Sequence, residues 1–220
     1  MKEKLDKWNH WLDEVYADMR HQAGSRTVFK ETEEIIKANP NFPKDNDFLD
    51  YLRQWYVDST VMGLRRQLKV DSHSVSLVRL LDEIATNAEL LSRQRFVDLY
   101  PQNMKNRANK EFDKYAGASA AYVPAEGVRA DIDQLKSLAK RCEEYADRLV
   151  AHRDKRGVPD PPSYKELDEA IDFMETLLKK YYLLLRGEYL ASVRPKFINP
   201  WQRIFEIPWL PARASKHGHY

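Results

Sequence analysis

Residues 124–186 read PAEGVRADIDQLKSLAKRCEEYADRLVAHRDKRGVPDPPSYKELDEAIDFMETLLKKYYLLLR, and the spacing of their apolar residues decides the fold. Two stripes recur every three or four positions, the period of one helix face. The first comprises Leu135, Leu138, Cys142, Tyr145, Leu149 and then His152; the second comprises Leu167, Ile171, Met174, Leu178, Tyr181 and Leu185. The proline-rich residues 157–162 separate them, and Ser163 with Glu166 forms a capping-box pattern. We therefore expect two long C-terminal helices in an antiparallel hairpin.

The rest of the chain is predicted to be helical too. Apolar periodicity predicts helices over about residues 3–22, 27–38, 46–69 and 75–91, with short helices near residues 92–100 and 106–116. We expect Gly24 and Ser25 to separate the first two helices, and Gly63 to mark a close helix crossing. The helix at 46–69 has apolar residues on more than one face, which indicates a central position. The sequence thus predicts an all-α, up-and-down helical bundle.

The chain is expected to form one bundle domain, residues 1–190, followed by an irregular tail, residues 191–220. Four prolines between residues 195 and 211 prevent a long helix in the tail, although its aromatic and aliphatic residues make it apolar. Because such a segment does not remain comfortably in water, two interpretations stay open. The tail either packs on the bundle or docks on a partner subunit.

Composition narrows the classes of function. The 36 basic and 34 acidic residues nearly cancel, with a formal net charge of +2, which argues against a duplex-DNA binder with a broad basic surface. A local basic site for RNA stays compatible with this balance. The single cysteine, Cys142, excludes an intramolecular disulfide framework and is expected in the core. No apolar run approaches the ~20 residues of a membrane span, so we expect a cytoplasmic protein without a membrane partner.

Several motifs that bind cofactors or metals are absent from the sequence. There is no GxxxxGK loop for phosphate, no HExxH motif and no ExxH pair. His217 and His219 lie in the terminal tail, His10 and His21 are expected in solvent, and His73 lies in a turn. We therefore expect no cofactor and no metal site.

The candidate catalytic residues are Arg148 and His152. On an α-helix they lie about 40° apart and one turn apart, so both side chains can approach one ligand. Arg153, Lys155 and Arg156 add positive charge near the helix end and are the candidate RNA-binding residues. An imidazole can exchange a proton with a ribose 2′-hydroxyl or a leaving oxygen, and a guanidinium can hold the phosphate, so this pair suits RNA cleavage without a metal. A symmetric dimer would bring two pairs together for the two proton transfers.

A structural interpretation stays open beside the catalytic one. A histidine on an apolar stripe also suits a core or an interface, and Arg148 can pair with Glu144 one turn earlier. The chain would then be a catalytically silent helical module, or a structural subunit of a larger complex.

The segment Arg148-Leu-Val-Ala-His152-Arg-Asp-Lys155, with a capped hairpin after it, resembles the HEPN superfamily. It is most similar to the group related to AbiU-type abortive-infection proteins. The run Arg65-Arg66-Gln-Leu-Lys-Val-Asp71, followed by Ser76-Leu77 and a leucine-rich helix, is similar to the same group. In layout the similarity spans roughly residues 8–189.

This resemblance implies a helical bundle that forms homodimers and, in many members, a metal-free ribonuclease. The Arg and the His of such members face each other across the dimer groove; here they are Arg148 and His152, with fewer residues between them than in many members. Other members are non-catalytic modules that bind RNA or proteins. We therefore predict a HEPN-like protein of prokaryotic defence or toxin–antitoxin type that acts on RNA as an endoribonuclease, or alternatively a silent binding module. The partners implied are a second copy, RNA, and an antitoxin or defence protein.

Overall fold

The computed structural model describes residues 2–43, 45–150 and 160–207, with the backbone alone at residues 149 and 150. Its helices are α1 (Lys2–Ala38), α2 (Asp47–Leu68), α3 (Leu77–Thr86), α4 (Arg93–Asp98), α5 (Lys105–Ala116), α6 (Ala125–Tyr145) and α7 (Tyr164–Arg186). A π-helical turn (Ala146–Val150) extends α6, and 3-10 turns occur at Ala88–Leu90, Gln102–Met104 and Trp201–Glu206. The described residues form no strand, although an isolated bridge joins Ser92 and Tyr122. The predicted all-α bundle is confirmed.

The centre of the core is the apolar face of α6, which packs against α2, α3 and α7. Its buried residues follow the helical period: Val128, Ile132, Leu135, Ala139, Cys142 and Tyr145. Of the predicted stripe, Leu135, Cys142 and Tyr145 are buried, whereas Leu138 is half-buried and Ala139 takes the core position. The side chains of Leu149 and His152 lie outside the described part of the chain, so their place in the stripe stays a prediction. On α7 the predicted stripe is buried as a whole, at Leu167, Ile171, Met174, Leu178, Tyr181 and Leu185. Helical period alone therefore identified this interface.

The contacts between α6 and α7 agree with an antiparallel hairpin. Arg141 pairs with Glu166 at 2.7 Å, and Lys180 pairs with Asp131 at 2.6 Å, so late residues of α6 face early residues of α7. The predicted capping box is present at the start of α7. The backbone N–H and the hydroxyl of Ser163 donate to the Glu166 carboxylate and hold its pKa below the usual range.

The predicted break at Gly24 and Ser25 is wrong, because α1 is one helix of 37 residues. The Ser25 hydroxyl donates to the backbone carbonyl of His21 at 3.2 Å, so this polar side chain is satisfied without leaving the helix. Gly24 serves packing rather than a turn: a Cβ there would lie 3.0 Å from Cγ of Pro195 in the tail. The glycine therefore makes room for a contact 171 positions away in sequence.

The predictions for α2 are confirmed in part. A Cβ at Gly63 would lie 2.6 Å from Cδ of Gln22 in α1, so the expected close crossing is present. The helix also packs against α1, α3, α6 and α7, as a central helix does. Its N-terminal half nevertheless exposes Phe48, Tyr51 and Trp55, which are 50%, 61% and 58% accessible to solvent. In the described part of the chain, the second apolar face of this helix is thus largely exposed to solvent.

The described part of the tail lies against α1. Val193 is buried, Pro195 packs on Gly24, and Gln202 donates a hydrogen bond to Glu31 at 2.7 Å. Ile198 is 95% exposed, so the tail also presents apolar surface to solvent. Its remaining residues, 208–220, lie outside the described residues, and its docking on a partner subunit stays a prediction. None of the helices in the described part has both the length and the apolar composition needed to cross a membrane.

We expect Ser163→Ala to lower the free energy of unfolding by about 1 kcal/mol, because the substitution removes the oxygen that caps the first turn of α7. The matched control is Ser137→Ala, which changes an exposed serine inside α6 and should be neutral or slightly stabilising. Urea unfolding followed by circular dichroism measures both effects. Equal stability of the two variants would contradict a stabilising cap at Ser163.

Candidate functional site

The candidate site lies where α6 passes into the π-helical turn Ala146–Val150. Asp147 and Arg148 belong to this turn, directly after the buried Tyr145. A π-helical turn holds more residues than an α-helical one, and such turns are frequent at functional sites. Within Ala146–Val150 the step per residue is therefore smaller than the 100° of an α-helix. The angle between Arg148 and His152 stays a prediction, because His152 lies outside the described residues. Arg148, the first of the predicted site residues, lies in a wider helical turn than the sequence predicts.

Two contacts from α2 hold the end of α6 in place. Gln54 donates a hydrogen bond to the hydroxyl of Tyr145 at 2.9 Å, and Arg65 forms an ion pair with Asp147. Gln54 and Arg65 are 11 residues apart, which is about 16 Å along α2. Because both reach the same short segment, the end of α6 crosses α2 between them. The backbone of α2 thereby fixes the position of the π-helical turn.

Of the predicted site residues, the structure describes Arg148 and places it half-buried in the π-helical turn. His152, Arg153, Lys155 and Arg156 lie outside the described residues, so their approach to Arg148 stays a prediction.

The alternative pairing of Arg148 with Glu144 is not formed. Within the described residues Arg148 makes no ion pair, whereas its neighbour Asp147 is paired with Arg65. The negative charge beside Arg148 is therefore already balanced by another cation. Arg148 is thus not engaged by a carboxylate within the described part of the chain.

The run of residues 65–71 that carried the resemblance has mainly structural contacts. Asp18 of α1 accepts hydrogen bonds from Arg66 at 2.8 Å and from Gln67 at 2.7 Å. The hydroxyl of Ser74 and the backbone N–H of His73 both donate to Asp71 and lower the pKa of its carboxyl to about 2. These bonds hold α2 against α1 and fix the turn before α3. Within this run, Arg65 is the side chain that reaches the candidate site.

Sequence reasoning missed the ion pair that joins Arg65 to Asp147. Both residues are visible in the sequence, one in the run at 65–71 and the other beside Arg148. Their pairing spans 82 positions and depends on where α6 crosses α2, so no local spacing indicates it.

Comparison with known proteins identifies one family. The family model HEPN_AbiU2, described as AbiU2, matches residues 2–204 and so covers most of the chain. Neither the curated proteins nor the solved structures contain a match to the chain.

We expect a double-mutant cycle with Arg65→Ala and Asp147→Ala to give a coupling energy of about 0.5–1 kcal/mol, since both side chains are partly exposed. The coupling should shrink at high salt because the pair is screened by solvent ions. Urea unfolding of the four proteins measures it. Additive effects of the two substitutions at low salt would show that this ion pair does not stabilise the π-helical turn.

Proposed function

The chain belongs to the AbiU2 family of HEPN proteins, and from this premise we propose that it is a prokaryotic defence protein that cuts RNA without a metal ion. Arg148 and His152 are the proposed catalytic residues, and Arg153, Lys155 and Arg156 are the proposed contacts to the RNA backbone. The single observation that carries the proposal is the setting of Arg148. Its guanidinium lies in a π-helical turn and forms no ion pair within the described residues, while the adjacent carboxylate is occupied by Arg65.

The chemistry follows from the two side chains. The 2′-oxygen of a ribose attacks the adjacent phosphorus, and the bond from phosphorus to the 5′-oxygen of the next nucleotide breaks. The products are a 2′,3′-cyclic phosphate and a 5′-hydroxyl. His152 takes the proton of the 2′-hydroxyl or returns one to the leaving oxygen, and Arg148 stabilises the negative charge that develops on the phosphate. Two protons move in this reaction, so we propose that a second copy of the chain supplies the second pair.

The other predicted features of the system belong to the same proposal. An antitoxin or defence protein would restrain an active ribonuclease until it is needed, which fits a protein of abortive-infection type. A cytoplasmic location would give access to cellular RNA. Both stay predictions.

We expect the purified protein to cleave cellular RNA in EDTA, and Arg148→Ala to reduce the rate about 10²- to 10³-fold, because one preorganised charge on the developing anion is lost. His152→Ala should reduce it about 10²- to 10⁴-fold through the loss of proton transfer. Arg148→Lys should fall between Arg148→Ala and the wild type, since an ammonium keeps the charge without the bidentate geometry. Gel electrophoresis of the RNA measures the rates.

The matched control for this experiment is Arg129→Ala. Arg129 is an exposed arginine on α6, 19 positions before Arg148, and its substitution should leave cleavage unchanged. Cleavage that persists in Arg148→Ala and His152→Ala would remove the pair from the mechanism. RNA binding by a wild-type protein that never cleaves would support the silent binding module instead.

We also expect a homodimer in solution, with twice the 25.9 kDa mass of one chain, because the proposed reaction needs two pairs of side chains. Light scattering coupled to size-exclusion chromatography measures the mass. A protein that stays monomeric while it cuts RNA would show that one pair suffices and would remove the shared groove from the proposal.

A further inference from the structure

A groove of about 680 Å³ lies between α1 and α2, on the face that the bundle leaves exposed. Phe29, Gly24 and Tyr56 are buried and form its base, and Pro195 and Phe197 of the tail close one end. Trp55 stands at its rim, 58% exposed, and stacks on Tyr51 with ring centroids 6.0 Å apart. A large aromatic side chain held open beside a groove favours a binding site over a random surface position.

The charged residues of the groove lining itself favour an anionic ligand. Arg20 and His21 line it from α1 and are exposed, and the described residues of the lining include no carboxylate. Arg20 forms no ion pair within the described part of the chain. Lys196, between the two tail residues that close the groove, is exposed as well. The nearest acidic residue along α1, Asp18, is occupied by Arg66 and Gln67.

The exposed Trp55 ring favours a ligand with a flat ring, and the basic side chains favour a ligand with a negative charge. A nucleotide has both. Aromatic side chains bind unpaired bases by stacking, and arginines beside them contact the phosphates. A base inside an RNA duplex is already stacked on both faces and paired, so it cannot lie on Trp55. The groove therefore suits single-stranded RNA rather than a duplex.

The groove and the candidate site share one helix. Arg65, which holds the π-helical turn, lies 10 residues after Trp55, about 15 Å along α2 and about 80° around it. Gln54, the neighbour of Trp55, contacts Tyr145 three positions before Arg148. About four to five stacked nucleotides, at 3.4 Å each, would span the distance from Trp55 to Arg65. A strand anchored at Trp55 would thus reach Arg148 along the exposed face of α2.

We propose that the groove between α1 and α2 binds an unpaired base of single-stranded RNA on Trp55, with Arg20 on a neighbouring phosphate, and so positions the strand for Arg148. The inference rests on the proposed action on RNA. Trp55, Tyr51 and Arg20 are positioning residues in this scheme, because they touch nucleotides away from the phosphate that is cut.

The test uses the full-length protein and a fluorescein-labelled single-stranded 2′-O-methyl RNA, which cannot be cut, with fluorescence anisotropy as the readout. Trp55→Ala should weaken binding about 5- to 150-fold, the range that one stacked base contributes. Trp55→Phe should retain most of the affinity because it keeps a ring. Arg20→Ala should lower the slope of log K against log salt by about 0.7, as expected for one lost phosphate contact on a single strand.

Two matched controls accompany these variants. Phe48→Ala removes another half-exposed aromatic side chain from α2 outside the groove and should bind as the wild type does. A duplex of the same sequence should show no dependence on Trp55. Circular dichroism and the solution mass establish that each variant stays folded and keeps its oligomeric state.

The outcomes separate the two proposals. A wild-type protein that neither binds nor cuts RNA would overturn both. A wild-type protein that binds the single strand, together with Trp55→Ala of equal affinity, would overturn this inference and leave the proposed function in place. A halved mass of Trp55→Ala would also overturn it, because Trp55 would then serve the contact between two copies.

Discussion

The rest of the structure depends on the burial of one seam of α6 against α2, α3 and α7. The residues of this seam step by three and four from Val128 to Tyr145, and the small side chain of Ala139 lies among the larger ones. Burial of such a stripe is the main favourable term in helix association. Within the described side chains the seam continues through Tyr145 to the buried Ala146, where the helix widens into the π-helical turn. Arg148 thus lies two residues beyond the last buried position that the structure describes.

Polar contacts then fix the orientation of α6 at both ends. Near its start, Asp131 accepts a hydrogen bond from the hydroxyl of Tyr181 at 2.7 Å and pairs with Lys180. Burial raises the pKa of Tyr181 far above the usual range, so this hydroxyl remains a donor at any physiological pH. Near its end, Gln54 and Arg65 of α2 hold Tyr145 and Asp147. Burial of apolar residues determines which face of α6 lies inward. The hydrogen bonds and ion pairs then determine how far α6 is rotated about its axis and how it is aligned along α2 and α7.

The sequence predicts those parts of the fold that depend on local pattern. The stripes of α6 and α7 and the cap at Ser163 are all readable, because each depends on residues a few positions apart. The predicted break at Gly24 fails because the reason for this glycine, Pro195, lies 171 positions away. The ion pair between Asp147 and Arg65, and the π-helical turn that it contacts, likewise involve residues that are far apart in the sequence, so local pattern does not indicate them. Arg148 itself could be chosen from the sequence, whereas the ion pair that occupies its neighbour Asp147 depends on Arg65, which comes from another helix.

The two apolar faces of α2 relate the fold to the proposed function. Apolar residues on more than one face predict a central helix, and one face of α2 is indeed buried in the bundle. The other face is more open, since Phe48, Tyr51 and Trp55 are each at least half exposed. Exposed aromatic side chains cost free energy in water, which is why we propose that this face binds a ligand. Because the same helix holds the π-helical turn through Arg65, α2 would connect the proposed ligand surface to the candidate site.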